Sequence, residues 1–211
     1  GKEKSWHNKL RNTMWAVING LEVLQPYVVI IENVPEVQDW KLCPAFLHAL
    51  ELLGYSTEIH ILDAADFGVP QNRVRWFCVG TLSKFPLNLE KSLEDQKREH
   101  VPVNSFIDWN YSKWSDVNKE GRSKKILSQI NTARKELKTD RFLIPYYGSG
   151  SGLTGRSIDR PIGTIVAHDI WAVVDGDRMR MLQPQETMEI MGFPKHFIRS
   201  GTRREQMRGF G

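Results

Sequence analysis

The apolar positions of this chain follow two rhythms. Over residues 8–24, Leu10, Met14, Val17, Ile18, Leu21 and Leu24 recur at helical spacing, and Gln25–Pro26 ends the pattern. Residues 27–31 (Tyr-Val-Val-Ile-Ile) form an unbroken apolar run of strand length, the kind buried on both faces of a parallel sheet. A second helical stripe spans 41–53 and stops at Gly54. Strands are predicted over 55–64 and 73–82, with a turn segment at 65–72 between them. Helix, strand, helix, strand, loop, strand is an α/β pattern.

After residue 82 the rhythm breaks. Residues 83–125 are polar, with scattered tryptophans. A helix is predicted over 123–138, a Gly/Ser-rich loop over 146–157, and short β segments over 162–174. A last helix carries Met188 and Met191 and ends at Gly192. There is no internal repeat. The shift places one domain over 1–89, a second over 90–177, and a return segment over 178–211 that packs on the first.

The chain has 211 residues, enough for one substantial core or one core plus a small appendage. Its 40% hydrophobic and 26% charged content is ordinary for a globular protein. No apolar run approaches the roughly 20 residues of a membrane helix, and residues 1–10 lack the apolar core of a signal peptide. A cytoplasmic location and no membrane partner are expected. Cys43 and Cys78 fit a helix and a strand as core residues, and the six histidines show no ligand spacing, so no metal is expected. Residues 1–82 hold seven Lys/Arg against nine Asp/Glu, whereas 83–211 hold 22 against 16. The basic excess therefore lies wholly in the second part, which suits a polyanion or simply a solvated surface.

Candidate chemistry sits at strand ends. In Val-Val-Ile-Ile-Glu-Asn, Glu32 appears where a strand leaves the core, the place where open α/β sheets bind ligands. A desolvated carboxyl group there can hydrogen-bond a heterocycle nitrogen and stabilise positive charge on it; equally, it can pair with an arginine. Gln71, Arg73 and Arg75 alternate at the entrance of the 73–82 strand, and a period of two puts all three on one face. Two such arginines need a base carbonyl, a phosphate or a carboxylate, with Glu32 and Asp66 as nearby acids. The 146–157 loop lacks the G-x-x-x-x-G-K-[ST] pattern and reads as a loop lying near a partner. Trp6, Trp15 and Trp76 fit core positions, while Trp109, Trp114 and Trp171 fit packing or contact with bases.

The order of these signals carries a resemblance. Glu-Asn-Val at a strand end, then Gln-Asn-Arg-Val-Arg, a polar basic insert, Arg-Pro-Ile-Gly-Thr-Ile, and Arg-Met-Leu-Gln-Pro-Gln-Glu with a closing Gly-Phe-Pro resemble the C-terminal portion of the C5-cytosine DNA methyltransferases. The resemblance runs from the first helix to about Phe197. It implies a partial Rossmann-like, S-adenosylmethionine-dependent methyltransferase sheet with a small, mostly β or irregular target-recognition domain. It further implies that Glu32 contacts N3 and the amino group of a flipped-out cytosine and that Arg75 reaches its O2. Arg73 would support the catalytic loop and backbone phosphates, Gln71 would fix its turn, and Asn33 would hold local structure. Arg160, Thr164 and the loop 148–156, with Gly150 and Ser151, are the expected contacts with double-stranded DNA.

Two family features are absent from the sequence: the Gly-rich loop that binds S-adenosylmethionine, and Pro-Cys-Gln with its nucleophilic cysteine. Cys43 lies between Leu42 and Pro44, the wrong order. The residues that would hold the cofactor are therefore unassigned. The expectation is a fragment or subunit of a DNA (cytosine-5-)-methyltransferase, inactive without the missing N-terminal part and paired with a complementary N-terminal polypeptide or segment that carries the nucleophile. Its strand at 27–31 would be left with one unpaired apolar edge. The alternative is a non-catalytic DNA-binding remnant. A nucleotide-dependent oxidoreductase would need a G-x-G-x-x-G after a strand, and none occurs.

Overall fold

Met14 and Leu21 turn inward from helix α1 (Met14–Leu24), which ends where Gln25 adopts a left-handed φ of 42° and donates its N–H to the Leu21 carbonyl. This computed structural model describes residues 13–83, 87–146, 155–167, 171–198 and 200–210. The chain forms two compact units: 1–63 with 74–97, and 64–73 with 98–211.

In the first unit, β1 (Val28–Asn33) leads through a 3-10 turn at Pro35–Asp39 to α2 (Cys43–Leu52). Pro44 sits in the first turn of α2, where its missing N–H is not needed, and Phe46 and Leu50, four apart, are fully buried. β2 (Ser56–Asp63) and β3 (Val74–Thr81) complete a sheet of order β1-β3-β2. Trp76 and Cys78 of the central strand are wholly buried against Ile31, Val37, Trp40, Phe46 and Leu50. Gly80 continues their face, and a Cβ there would come within 2.9 Å of a Val29 methyl group, so the close strand approach requires glycine. Helix α3 (Leu89–Asp95) is capped from outside, because Glu58 accepts the N–H groups of Asn88 and Leu89.

The parallel, doubly buried sheet expected of the 27–31 run is not what forms. β3 pairs antiparallel with both β1 and β2. On β1, Ile31 is buried, but Val28 is 48% and Ile30 66% exposed. A continuous apolar run signals two faces without polar groups, not two covered faces. Among the described residues β1 pairs on one edge only.

The second unit is built on a five-stranded antiparallel sheet, order β4-β8-β7-β5-β6. Its strands are β4 (Ser115–Asp116), β5 (Arg141–Pro145), β6 (Arg156–Ser157), β7 (Trp171–Asp175) and β8 (Arg178–Met181). Helix α4 (Lys124–Leu137) starts at Ser123, whose hydroxyl accepts the Ile126 N–H. Ile126, Ile130 and Ala133 of α4 form one stripe over Phe142, Ile144, Ala172 and Val174. The opposite face, with Leu143, Val173 and Leu182, packs on Val103, Ile107, Ile162 and Ile190. Helices α5 (Pro184–Ile190) and α6 (Arg203–Phe210) follow. Of the predicted 162–174 segment, the described strand is β7, while Ile162 makes an isolated parallel bridge to Gln71. Residues 178–211 fall in the second compact unit, and β8 extends its sheet. Among the described residues no helix is long and apolar enough to cross a membrane.

Candidate functional site

Glu32 lies on β1 opposite Phe77 of β3, so Arg75, two residues along, projects from the same face. The two side chains meet: Arg75 Nε stands 2.9 Å from Glu32 Oε1. Arg75 Nη1 donates to the Val74 carbonyl at 2.8 Å. Glu32 Oε2 and Arg75 Nη2 have no partner among the described residues. One acceptor and one donor are thus left at the end of a strand pair, the two kinds of group that the edge of a heterocycle can meet. The desolvation expected at Glu32 is not found. Its side chain is 50% exposed, and its charge is matched by Arg75 instead. Asn33 closes the strand end: its Oδ1 accepts the Val34 N–H at 2.8 Å and its Nδ2 approaches Met14 Sδ at 3.7 Å.

Both cysteines are free and buried in the first unit's core. Burial raises the Cys43 thiol, and burial with the added effect of Cys43 pushes Cys78 up to about 11. Neither is a thiolate at neutral pH, and so neither is an activated nucleophile.

The one-face reading of Gln71, Arg73 and Arg75 fails, because β3 begins only at Val74. Gln71 and Arg73 lie in the β2–β3 connection, within the second unit. Gln71 is 1% exposed, and its Oε1 accepts the Ile165 N–H at 2.7 Å while its Nε2 approaches Met191 Sδ at 2.9 Å. Arg73 Nη1 donates to the Ile165 carbonyl at 3.0 Å, and Thr164 Oγ1 donates to the Asn72 carbonyl at 2.9 Å. With the backbone bonds Asn72 N–H to Ile162 O and Ile162 N–H to Pro70 O, these ties bind 70–73 to 162–165. The signal that the alternation hid is Pro70, which interrupts strand pairing before the alternation begins. Arg160 lines a cleft of about 840 Å³ together with Asn72, His100, Arg156, Ser157 and Asp159. Of these, Arg160 and Arg156, the last residue of the 148–156 loop, are among the expected DNA contacts. Gly150 and Ser151 lie outside the described residues.

The Arg-Met-Leu-Gln-Pro-Gln-Glu motif holds a buried ion pair. Arg180 Nη1 and Nη2 reach Glu186 Oε2 and Oε1 at 2.7 and 2.6 Å. Glu186 also accepts the N–H groups of Asp108 and Gln183, and Arg180 lies against the rings of Tyr111 and Trp114. At the rim of the same sheet, Asp175 is held by Arg141 and Arg178. Burial works against the charge of Asp175, but hydrogen bonds and charge from these two arginines outweigh it and hold the carboxyl below its ordinary 3.8. A depressed folded-state pKa gives stability that is present above the unfolded value and lost as pH falls through the folded one. Melting curves of the wild type and Asp175→Asn should therefore converge as pH drops below about 3.8. A difference unchanged down to about pH 2 would contradict the pairing.

S-Adenosylmethionine needs a glycine turn where backbone meets the nucleoside. The described glycines of the first unit do other work: Gly20 lies inside α1, Gly54 follows α2 and Gly80 lies in β3. β1 runs directly into Val34–Pro35. These glycines do not form the cofactor's pocket.

The family model described as C-5 cytosine-specific DNA methylase matches residues 1–211. Type II methyltransferase M.BsuFI of Bacillus subtilis is 25% identical over 100% of this chain and 50% of its own length. M.MspI of Moraxella sp is also 25% identical, over 100% of this chain and 48% of its own length. The chain thus spans about half the length of these curated relatives. Among solved structures, the S. pombe Dnmt2 methyltransferase superposes with a TM-score of 0.61 at 15% identity, covering 92% of this chain and 65% of that one. The Entamoeba histolytica methyltransferase EhMeth gives 0.54 at 21% identity, covering 96% and 62%. These two likenesses speak for the fold.

Proposed function

The chain belongs to the C-5 cytosine-specific DNA methylase family, which uses S-adenosyl-L-methionine, and from that premise we propose that it supplies the base-gripping and DNA-reading parts of a DNA (cytosine-5-)-methyltransferase. The observation that carries this reading is the 2.9 Å contact between Glu32 and Arg75 on neighbouring strands. A cytosine ring atom cannot be attacked inside the duplex stack, so the base must swing out, at a cost of a few kcal/mol. Contacts to the extruded base offset that cost. Glu32 takes the amino group and N3, and Arg75 takes O2. As a thiolate adds at C6, a proton shared between the Glu32 carboxyl group and N3 offsets the negative charge that the addition drives into the ring, which leaves an enamine whose C5 is nucleophilic. Residues of the second unit, with Arg73, Arg160 and Thr164 among them, meet the duplex.

The thiolate comes from elsewhere, since Cys43 and Cys78 are buried and protonated. We assign it to an N-terminal polypeptide carrying Pro-Cys-Gln and the glycine loop. That partner pairs with the free edge of β1 and covers Tyr27, Val28 and Ile30, which are 64%, 48% and 66% exposed.

Co-expression with the N-terminal half of a family member tests this. Methyl incorporation into cytosine is expected from the pair and not from either half. DNA binding without methyl transfer, with every complement tried, would favour the non-catalytic remnant. Loss of DNA binding as well would remove both readings.

A further inference from the structure

Several arginines of the second unit are held by acids or carbonyls, while the side chains of the exposed Arg98 and Arg204 have no partner among the described residues. Arg134 meets Asp140 and Asp177, Arg141 and Arg178 share Asp175, and Arg180 holds Glu186. Arg122 lacks a carboxylate but bonds Val117 O, Asp116 O, Ser115 Oγ and Tyr146 Oη. Arg156 and Arg160 differ from these held arginines. Neither guanidinium has an ion-pair or hydrogen-bond partner among the described residues, and Arg156 Nε is shut away from solvent without an acceptor. Both line the same cleft of about 840 Å³. Two cations facing one hollow repel each other, and an unmet buried guanidinium N–H is costly.

The remaining lining sharpens the chemistry. Asp159, the carboxylate among the described lining residues, is engaged by its own turn. Ser157 Oγ donates to Asp159 Oδ2 at 3.2 Å, and the Asp159 N–H donates back to Ser157 Oγ at 3.1 Å. His100 is anchored through Nε2 to Asp66 at 2.8 Å. The cleft is built rather than incidental. Gly155 brings the chain so close to α4 that a Cβ would come within 2.5 Å of Ala133 Cβ. Arg160 is pinned through its carbonyl, which accepts the Val103 N–H at 3.1 Å. Asn72 is fixed by its backbone to Ile162 and Thr164. Two uncompensated guanidinium groups held on a rigid rim match an anion with several oxygens, and a phosphodiester fits this better than a carboxylate or a neutral base.

We propose that Arg156 and Arg160 grip backbone phosphate of the DNA, so that this cleft positions the duplex without reading its sequence. The inference rests on the reading of the second unit as the DNA-binding part. Removing one phosphate-binding arginine should lower the slope of log K against log salt by about 0.9. Between roughly 50 and 200 mM salt, that shrinks the fall in affinity about 3.5-fold for each arginine removed.

The experiment measures binding of the full chain to cytosine-containing duplexes of two unrelated sequences over a salt series. It compares the wild type with Arg156→Gln, Arg160→Gln and the double variant. Lys124→Gln, on exposed α4, controls for general charge, and melting curves check folding. Expected are equal reductions in affinity on both duplexes, a slope lower by about 0.9 for each single variant and by about 1.8 for the double, no comparable change for Lys124→Gln, and partial rescue by Arg160→Lys. Inorganic phosphate at matched ionic strength should compete for the wild-type cleft more than for the double variant. Unchanged slopes, a reduction confined to one sequence, or an equal effect of Lys124→Gln would overturn the proposal while leaving the DNA-binding reading intact. A wild-type chain that binds neither duplex would remove both.

Discussion

Glu186→Gln is expected to destabilise the second unit by about 3–5 kcal/mol, the usual result of leaving one member of a buried ion pair without its partner. Both side chains are almost fully enclosed, at 3% and 5% exposure. Glu186 receives four donors: two from Arg180 and the backbone N–H groups of Asp108 and Gln183. A glutamine in that position turns an NH2 donor toward other donors and leaves the Arg180 charge uncompensated between aromatic rings. The damage spreads because Arg180 Nη2 also donates to the Asp108 carbonyl, so the pair fastens the 107–111 segment to the start of α5. Urea denaturation followed by tryptophan fluorescence reads the change, since Trp114 lies against Arg180. Replacing both residues with apolar ones of similar volume should recover much of the stability. A Glu186→Gln protein within about 1 kcal/mol of wild type would show that the pair bears little of the unit's stability.

In the reconstituted enzyme, Glu32→Gln is expected to lower kcat roughly 10²–10⁴-fold with a much smaller change in KM for DNA. The isosteric amide keeps a hydrogen-bonding group in place but cannot share a proton with N3 of the base. It also deprives Arg75 of its ion-pair partner. DNA affinity, set mainly by phosphate contacts on the second unit, should change little. An equal fall in DNA affinity and kcat would instead mean that Glu32 supports the fold or the duplex, not the reacting base.

How much of this was legible in the sequence depends on the range of each interaction. The stripes Met14–Leu21 and Phe46–Leu50 declared α1 and α2 because their partners repeat along the same helix. The glycine at 54 marked a helix end for a local reason of backbone geometry. The direction of β1 was not legible. Val28 to Ile31 are apolar whether the neighbour runs parallel or antiparallel, and that neighbour is β3, which lies far along the chain at Val74–Thr81. Glu32 and Arg75 could be suspected because charged groups at strand ends stand out against apolar runs. Gln71 and Arg73 misled because the alternation of Gln71, Arg73 and Arg75 crosses from a loop into a strand at Val74. The arginine cleft was legible in part: Arg160 and the 148–156 loop stood out as DNA contacts, but Asn72 and His100 come from distant segments, drawn in by the pairing of 70–73 with 162–165, by the contact of His100 with Asp66 and by the bond from Val103 to the Arg160 carbonyl.

In the proposed function Glu32 and Arg75 act as one device on one base. A double-mutant cycle on single-turnover methyl transfer by the reconstituted enzyme, using Glu32→Gln, Arg75→Gln and both together, is the sharpest check. Strong non-additivity is expected, with the double variant about as slow as the slower single one, because either change disables the same contact. Rate reductions that simply multiply, or single variants that remain within about twofold of wild type, would contradict it.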